Sequence, residues 1–94
     1  MEKIVWSELA LDDLHDIYNF IWLDSKFYAD KTQDAFFERV KILLDQPYIG
    51  RIVPERNDPN IREIMMGSYR IMYFIGDLPT IVIYRIVHFS RLFS

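Results

Sequence analysis

Between residues 61 and 88 the chain reads IREIMMGSYRIMYFIGDLPTIVIYRIVH. Three runs of aliphatic, aromatic and β-branched side chains are separated by two turn signals, Gly67-Ser68 and Gly76-Asp77-Leu78-Pro79. This pattern predicts a three-stranded antiparallel meander. A two-residue type II′ turn at Gly67-Ser68, with glycine at positive φ, sets Met66 opposite Tyr69 and Met65 opposite Arg70. A four-residue loop at 76–79 sets Ile75 opposite Thr80 and Arg70 opposite Arg85. Side chains alternate across a strand. One face then carries Ile61, Glu63, Met65, Arg70, Met72, Phe74, Ile81, Ile83 and Arg85. The other carries Arg62, Ile64, Met66, Tyr69, Ile71, Tyr73, Val82, Tyr84 and Ile86, and with its single charge it is the better core candidate.

Upstream the periodicity changes. Residues 3–6 (KIVW) are short and β-prone and predict a first strand. Ser7 is suited to cap a helix over 8–23, with Glu8, Asp12 and Asp13 near its positive end. Leu11, Leu14, Tyr18, Ile21 and Trp22 form a helical stripe, and Asp12, Asp16 and Asn19 lie on the wet side. A second helix is expected over 27–45, with Phe36, Val40, Leu43 and Leu44 as its stripe and Pro47 as its stop. The short connection at Asp24-Ser25 makes the two an antiparallel hairpin. Residues 46–60 (QPYIGRIVPERNDPN) read as a loop, and the chain closes on 89–94. Neither helix can bury its stripe alone, so the apolar face of the sheet is their natural partner. The fold class expected is α+β, in the order β-α-α-β-β-β, with a helical hairpin on one face of a small, twisted, antiparallel-rich sheet. No internal repeat or low-complexity segment is visible.

Composition narrows the classes. Ninety-four residues suit a single domain over 1–94. Half the residues are apolar, so the chain is expected to fold around a core. There is no cysteine, which removes disulfides, thiolate metal sites and cysteine nucleophiles together. No motif calls for a metal or another cofactor. No stretch approaches the length of a membrane span, and the acidic N-terminus lacks a signal-peptide pattern, so no membrane association and a cytoplasmic location are expected. The net charge of −3 argues against indiscriminate nucleic-acid binding. The charge is uneven, however. Residues 1–46 hold ten acids and five bases; residues 47–94 hold four acids and six bases. All four lysines lie in the first half and six of seven arginines in the second. Arginine suits bidentate recognition of carboxylate or phosphate. The arginines within the strands, Arg62, Arg70 and Arg85, are therefore the first place to look for function, because a guanidinium inside so apolar a strand costs free energy unless it is paired or wet.

The motifs carry a resemblance. Trp6-Ser7, Asp13-Leu14, Pro47 with Gly50-Arg51, Pro54-Glu55, Ile61-Arg62-Glu63, Gly67-Ser68-Tyr69-Arg70-Ile71, Tyr73, and Val87-His88 with Arg91 follow one another in an order that resembles the RelE/ParE toxin superfamily. The likeness covers nearly the whole chain. It implies the toxin half of a type II toxin–antitoxin (plasmid stabilisation) module, a cognate antitoxin that wraps the toxin, and the possibility of a higher-order toxin–antitoxin assembly. The superfamily divides in mechanism. RelE-like members are mRNA interferases that cut messenger RNA on the ribosome; ParE-like members bind and poison DNA gyrase without chemistry of their own.

In the nuclease reading Arg70 matches the catalytic strand arginine, Glu55 the loop general base and His88 the general acid. Metal-independent RNA cleavage needs such a base, a cation for the phosphorane and an acid for the leaving oxygen. Arg85, Arg51, Arg56, Arg62 and Arg91 are then candidates for binding nucleic acid or a protein target. Two departures weigh the other way. Phe89 stands where that nuclease branch has tyrosine, and no lysine follows Lys41. Strict alternation also sets His88 on the face opposite Arg70 and Arg85, unless the last strand ends or bulges between Arg85 and His88. Plainer roles compete for each residue. Arg70 can pair with Glu63 across the sheet, Arg62 can lie at the sheet edge, Glu55 can be a solvated loop acid, and His88 a strand-end histidine. His15 lies among acids on the first helix and is read as surface. Trp6, Trp22, Phe36 and Tyr73 are read as core.

Overall fold

The structure is a computed structural model that describes residues 3–77 and 80–89. Its elements in chain order are β1 (Lys3–Trp6), α1 (Glu8–Trp22), α2 (Lys26–Val40), a short α3 (Ile42–Asp45), β2 (Arg51–Ile52), β3 (Ile61–Met66), β4 (Tyr69–Ile75) and β5 (Thr80–His88). The five strands form one sheet in the order β1-β5-β4-β3-β2. β1 runs parallel to β5, and the other pairs are antiparallel. The two long helices cover one face. This is the expected α+β arrangement, with one strand more than the pattern predicts: β2 is a two-residue edge strand drawn from the 46–60 loop and pairs with β3.

Local chemistry accounts for the element ends. Ser7 caps α1, its Oγ accepting from the Ala10 N–H at 3.0 Å. Ser25 caps α2 in the same way, accepting from Tyr28 N–H. Each cap satisfies one N–H that a helix start would leave orphaned. The second helix breaks at Lys41 and resumes as α3, where one continuous helix is expected from sequence. Gly67 has a φ of 56°, as a hairpin turn of this length requires.

Ala10, Leu14, Phe36, Val40 and Leu43 of the helices meet Ile64, Ile71, Tyr73, Ile75, Ile81, Ile83 and Ile86 of the sheet. The stripe of α1 is rotated from the expected one. Ala10 and Leu14 are buried and Ile17 is half-buried, whereas Leu11 and Trp22 are exposed, Trp22 at 50%. The expectation followed the largest side chains; the helix instead turns its alanine to the sheet, where a small side chain allows close approach.

Register carries the main corrections. The β3–β4 hairpin pairs Met66 with Tyr69 and Met65 with Arg70, as expected. The β4–β5 pairing differs. Gly76 N–H donates to Thr80 O at 3.1 Å, and Ile75 pairs with Ile81 rather than Thr80. That slip of one residue turns Ile81 and Ile83 to the helices instead of Val82. A β-bulge then inserts Tyr84 between the pairs Tyr73–Ile83 and Met72–Arg85 and restores the expected faces for Arg85 and Ile86. In consequence Arg70 pairs with Val87, so Arg70 and Arg85 are not directly opposed.

Candidate functional site

The face of the sheet turned from the helices carries Glu63, Arg70 and Met72; the 46–60 segment is anchored on the helix-facing side by Tyr73 and Arg62, crosses the sheet edge at β2, and brings residues 53–57 over this face. That segment is tied down rather than loose. Tyr73 lies beneath it, with its hydroxyl donating to Pro47 O at 2.7 Å and accepting from Gly50 N–H at 3.0 Å. Burial raises the Tyr73 pKa, which keeps the hydroxyl protonated and able to donate. Arg62 donates to Pro59 O, Tyr48 O and Gly50 O and stacks 5.1 Å from the Tyr48 ring. Sequence alone sets Arg62 at a wet sheet edge; it is a half-buried clamp on three carbonyls. Between Val53 and Asn57 the chain turns, with the N–H groups of Arg56 and Asn57 both reaching Val53 O. The turn carries Glu55 over Arg70.

Arg70 is only 3% exposed. Its Nε donates to Glu63 Oε1 at 2.9 Å, and its Nη2 bonds the same oxygen. Its Nη1 and Nη2 also donate to the two Glu55 oxygens, each at 3.0 Å, a bidentate fork. Glu63 is buried too and is shared with Arg51, whose Nε lies 2.7 Å from Oε2. Two arginines and two glutamates thus alternate in one chain of ion pairs. The bond from Arg70 holds the Glu55 carboxyl below the usual carboxylate range, and the two carboxylates raise the Arg70 pKa further. The positive charge of Arg70 on this face is therefore neutralised from within.

Beside this network lies a cleft of about 290 Å³ lined by Val53, Glu55, Arg56, Met72, Tyr84 and Arg85. The bulge delivers Tyr84 to it. The Tyr84 hydroxyl is buried without a well-formed hydrogen bond, Arg56 being its neighbouring cation, and burial raises its pKa. Arg85 also borders this cleft, but its guanidinium reaches round to the helix layer. It meets Asp13 of α1 through Nε at 2.8 Å and Nη2 at 3.2 Å, and Asp13 accepts the Ile86 N–H as well. That pair raises the Arg85 pKa.

His88 stands elsewhere. It pairs with Tyr69, its ring 5.4 Å away edge-on, and lines a second cleft of about 490 Å³ with Asp13, Asp16, Ile17, Phe20, Tyr69 and Arg85. That cleft adjoins α1, whereas Glu55 and Arg70 lie across the sheet. The bulge that would bring His88 to the face of Arg70 has to fall between Arg85 and His88, and it falls before Arg85. The structure thus unites Glu55 with Arg70, adds Arg51, and leaves His88 apart. Arg56 is exposed at the rim of the smaller cleft; Arg91 lies outside the described residues. Three contributors escape the sequence reading. Asp13 looks like an ordinary acid of a helix start, Tyr84 belongs to the core face under strict alternation, and Gly50 shows its role only through Tyr73.

Residues 4–93 match the sequence model of a family described as ParE toxin of type II toxin-antitoxin system, parDE. Among solved structures, the chromosomal ParDE toxin–antitoxin system of P. aeruginosa contains a chain similar to this one at 24% identity and a TM-score of 0.76, over 94% of this chain and 96% of that one. The RelBE2 toxin–antitoxin complex of Mycobacterium tuberculosis contains another, at 23% identity and a TM-score of 0.68, over 93% of this chain and 96% of that one. These likenesses bear on the fold. No curated protein matches significantly. Because the family match runs along almost the whole sequence, the protein belongs to the ParE toxin family, the toxin component of type II toxin–antitoxin systems.

Proposed function

We propose that this toxin acts by binding and not by cleavage: it inhibits DNA gyrase as a protein ligand and is held inactive by a cognate antitoxin. The observation that carries the reading is the state of Arg70. A catalytic cation for a dianionic phosphorane must face the reacting phosphate, yet Arg70 is sealed between Glu55 and Glu63. A general base must be free to take a proton, and Glu55 already accepts two N–H bonds from Arg70. The proposed acid, His88, is on the other side of the sheet.

A binding surface has its own support. Phe20, Trp22, Leu23, Phe27 and Tyr28 are exposed around the junction of α1 and α2. A concentration of large apolar side chains at one end of a small protein marks a contact surface. The similar structures named above come from toxin–antitoxin complexes, which favours an antitoxin as one occupant and is compatible with a larger assembly.

The test separates the two chemistries. Expression should arrest growth, inhibit gyrase supercoiling in a purified assay and leave ribosome-bound transcripts uncut. His88→Ala should keep that toxicity, whereas a nuclease loses about 10²–10⁴-fold in rate with its general acid. Transcript cleavage that His88→Ala abolishes, with supercoiling untouched, would overturn the reading in favour of the ribosome-dependent nuclease.

A further inference from the structure

From the Glu55–Arg70 fork and the cleft beside it, we infer that Glu55 is an internal stand-in for a partner's carboxylate: an acidic side chain flanked by apolar residues, on a protein partner, displaces Glu55 from Arg70. The inference rests on the protein-binding reading above and names the chemistry of one contact within it.

The two carboxylates on Arg70 are not equivalent. Glu63 is a strand residue with its side chain 1% exposed, bonded on its other side by Arg51, and it cannot leave without a charge being stranded. Glu55 belongs to a turn, and its side chain is 35% exposed. Its open side gives the carboxylate somewhere to go when a competitor takes its place. Its departure uncovers the Nη1 and Nη2 edge of a guanidinium already rigidly held by Glu63. That edge is preorganised for a planar carboxylate, since one occupies it now with both oxygens at 3.0 Å.

The adjoining cleft supplies the rest of a site. Val53 and Met72 are buried side chains that form its apolar part. The Tyr84 hydroxyl, buried and without a well-formed hydrogen bond, is a donor still to be spent, and Arg56 stands at the rim. A buried hydroxyl in this condition costs free energy until something accepts its proton. Glu55 in its present place does not reach it; a main-chain carbonyl of the partner, entering the cleft beside the carboxylate, can be that acceptor. The chain's acidic balance and apolar cleft walls favour a protein carboxylate over a polynucleotide phosphate. Exchange of one carboxylate for another leaves the Arg70 pairing unchanged. Affinity in the native chain therefore comes from what the newcomer adds, namely apolar contact and the bond to Tyr84.

The experiment is a titration of the full chain, followed by NMR at the Arg70 Nε–H, with three probes: N-acetyl-Leu-Glu-Leu amide, its Leu-Gln-Leu counterpart and inorganic phosphate. Removal of the competitor in Glu55→Ala should tighten the glutamate peptide about tenfold or more over the native chain. The glutamine peptide should bind at least about tenfold more weakly to that variant. Adding Tyr84→Phe should weaken the glutamate peptide about threefold or more. Should Glu55→Ala fail to fold, Glu55→Gln is titrated under the same criteria. Equal affinity of variant and native chain, equal binding of the two peptides, or a response to phosphate alone would each overturn the inference. A failed titration with gyrase inhibition intact sinks this contact only; cleaved transcripts sink the reading beneath it.

Discussion

Glu63 and Arg70 show how a charge survives inside so small a protein. Each is nearly inaccessible, and each is bonded to the other, with Arg51 completing the partners of Glu63 and Glu55 those of Arg70. Removing one partner of a buried pair costs more than the pair itself contributes, since the remaining charge is stranded. Glu63→Ala should therefore destabilise the fold by about 3–5 kcal/mol in urea unfolding. Replacing Glu63 and Arg70 together with apolar residues of similar size should cost less than that. Glu55 sits at the wetter end and titrates accordingly. Its folded pKa is depressed by Arg70 below the usual glutamate value. It binds fewer protons folded than unfolded, so its contribution is complete above the usual glutamate range and disappears as pH falls through the depressed folded value. The stability difference between the native chain and Glu55→Gln should be flat near neutrality and shrink in that acid window.

Among the elements, the 46–60 segment matters most, because it brings Glu55 to the sheet. Its composition, rich in proline, glycine and asparagine, reads as a flexible loop, yet Tyr73 and Arg62 hold it by main-chain groups at Pro47, Tyr48, Gly50 and Pro59. Gly50 is where the fit is closest. A Cβ there would lie 2.5 Å from Tyr73 Oη and 2.6 Å from Glu63 O. Neither neighbour gives way easily, since the hydroxyl is hydrogen-bonded twice and the carbonyl is strand backbone. Gly50→Ala should cost about 1–3 kcal/mol through overpacking. It should also raise amide hydrogen exchange across this segment more than in the β3–β4 hairpin. The bulge at Tyr84 is the second element-level device. Ser7 N–H donates to Ile83 O and Ser7 Oγ to Tyr84 O, so the start of α1 grips the strand where its ladder is interrupted.

At the scale of the whole molecule, the acidic half and the arginine-rich half occupy different layers. The hairpin of α1 and α2 presents acids and exposed apolar side chains; the sheet and the 46–60 segment hold Arg51, Arg62, Arg70 and Arg85 in ion pairs and main-chain bonds. Among the described residues no helix is long and apolar enough to cross a membrane. The greasy end of the hairpin lies apart from the packed core. Leu23 is 83% exposed, so Leu23→Ser should change unfolding free energy by less than about 0.5 kcal/mol. If the hairpin end is a contact surface, the same substitution should weaken gyrase inhibition or antitoxin binding in a pull-down with purified partner. A large loss of thermal stability instead would mean that Leu23 packs within the protein.

Much of the architecture was legible in the chain because it depends on local signals. The alternation in β3 and β4, the glycine turn between them and the Ser7 cap each act over a few residues, and they predicted the hairpin register, the start of α1 and the element order. The motif order also pointed to the superfamily. What the sequence could not determine is decided by contacts made across the fold. A one-residue slip at the start of β5 and a bulge at Tyr84 together choose which of its side chains face the helices, and strict alternation has no means of placing either. The pairing of Arg70 with Glu63 was legible in the hairpin register; whether its outer edge is open or capped depends on Glu55, fifteen residues away along the chain, being carried back over it by a segment that reads as loop. Period and propensity report neighbours in sequence; charge neutralisation and burial are set by neighbours in space.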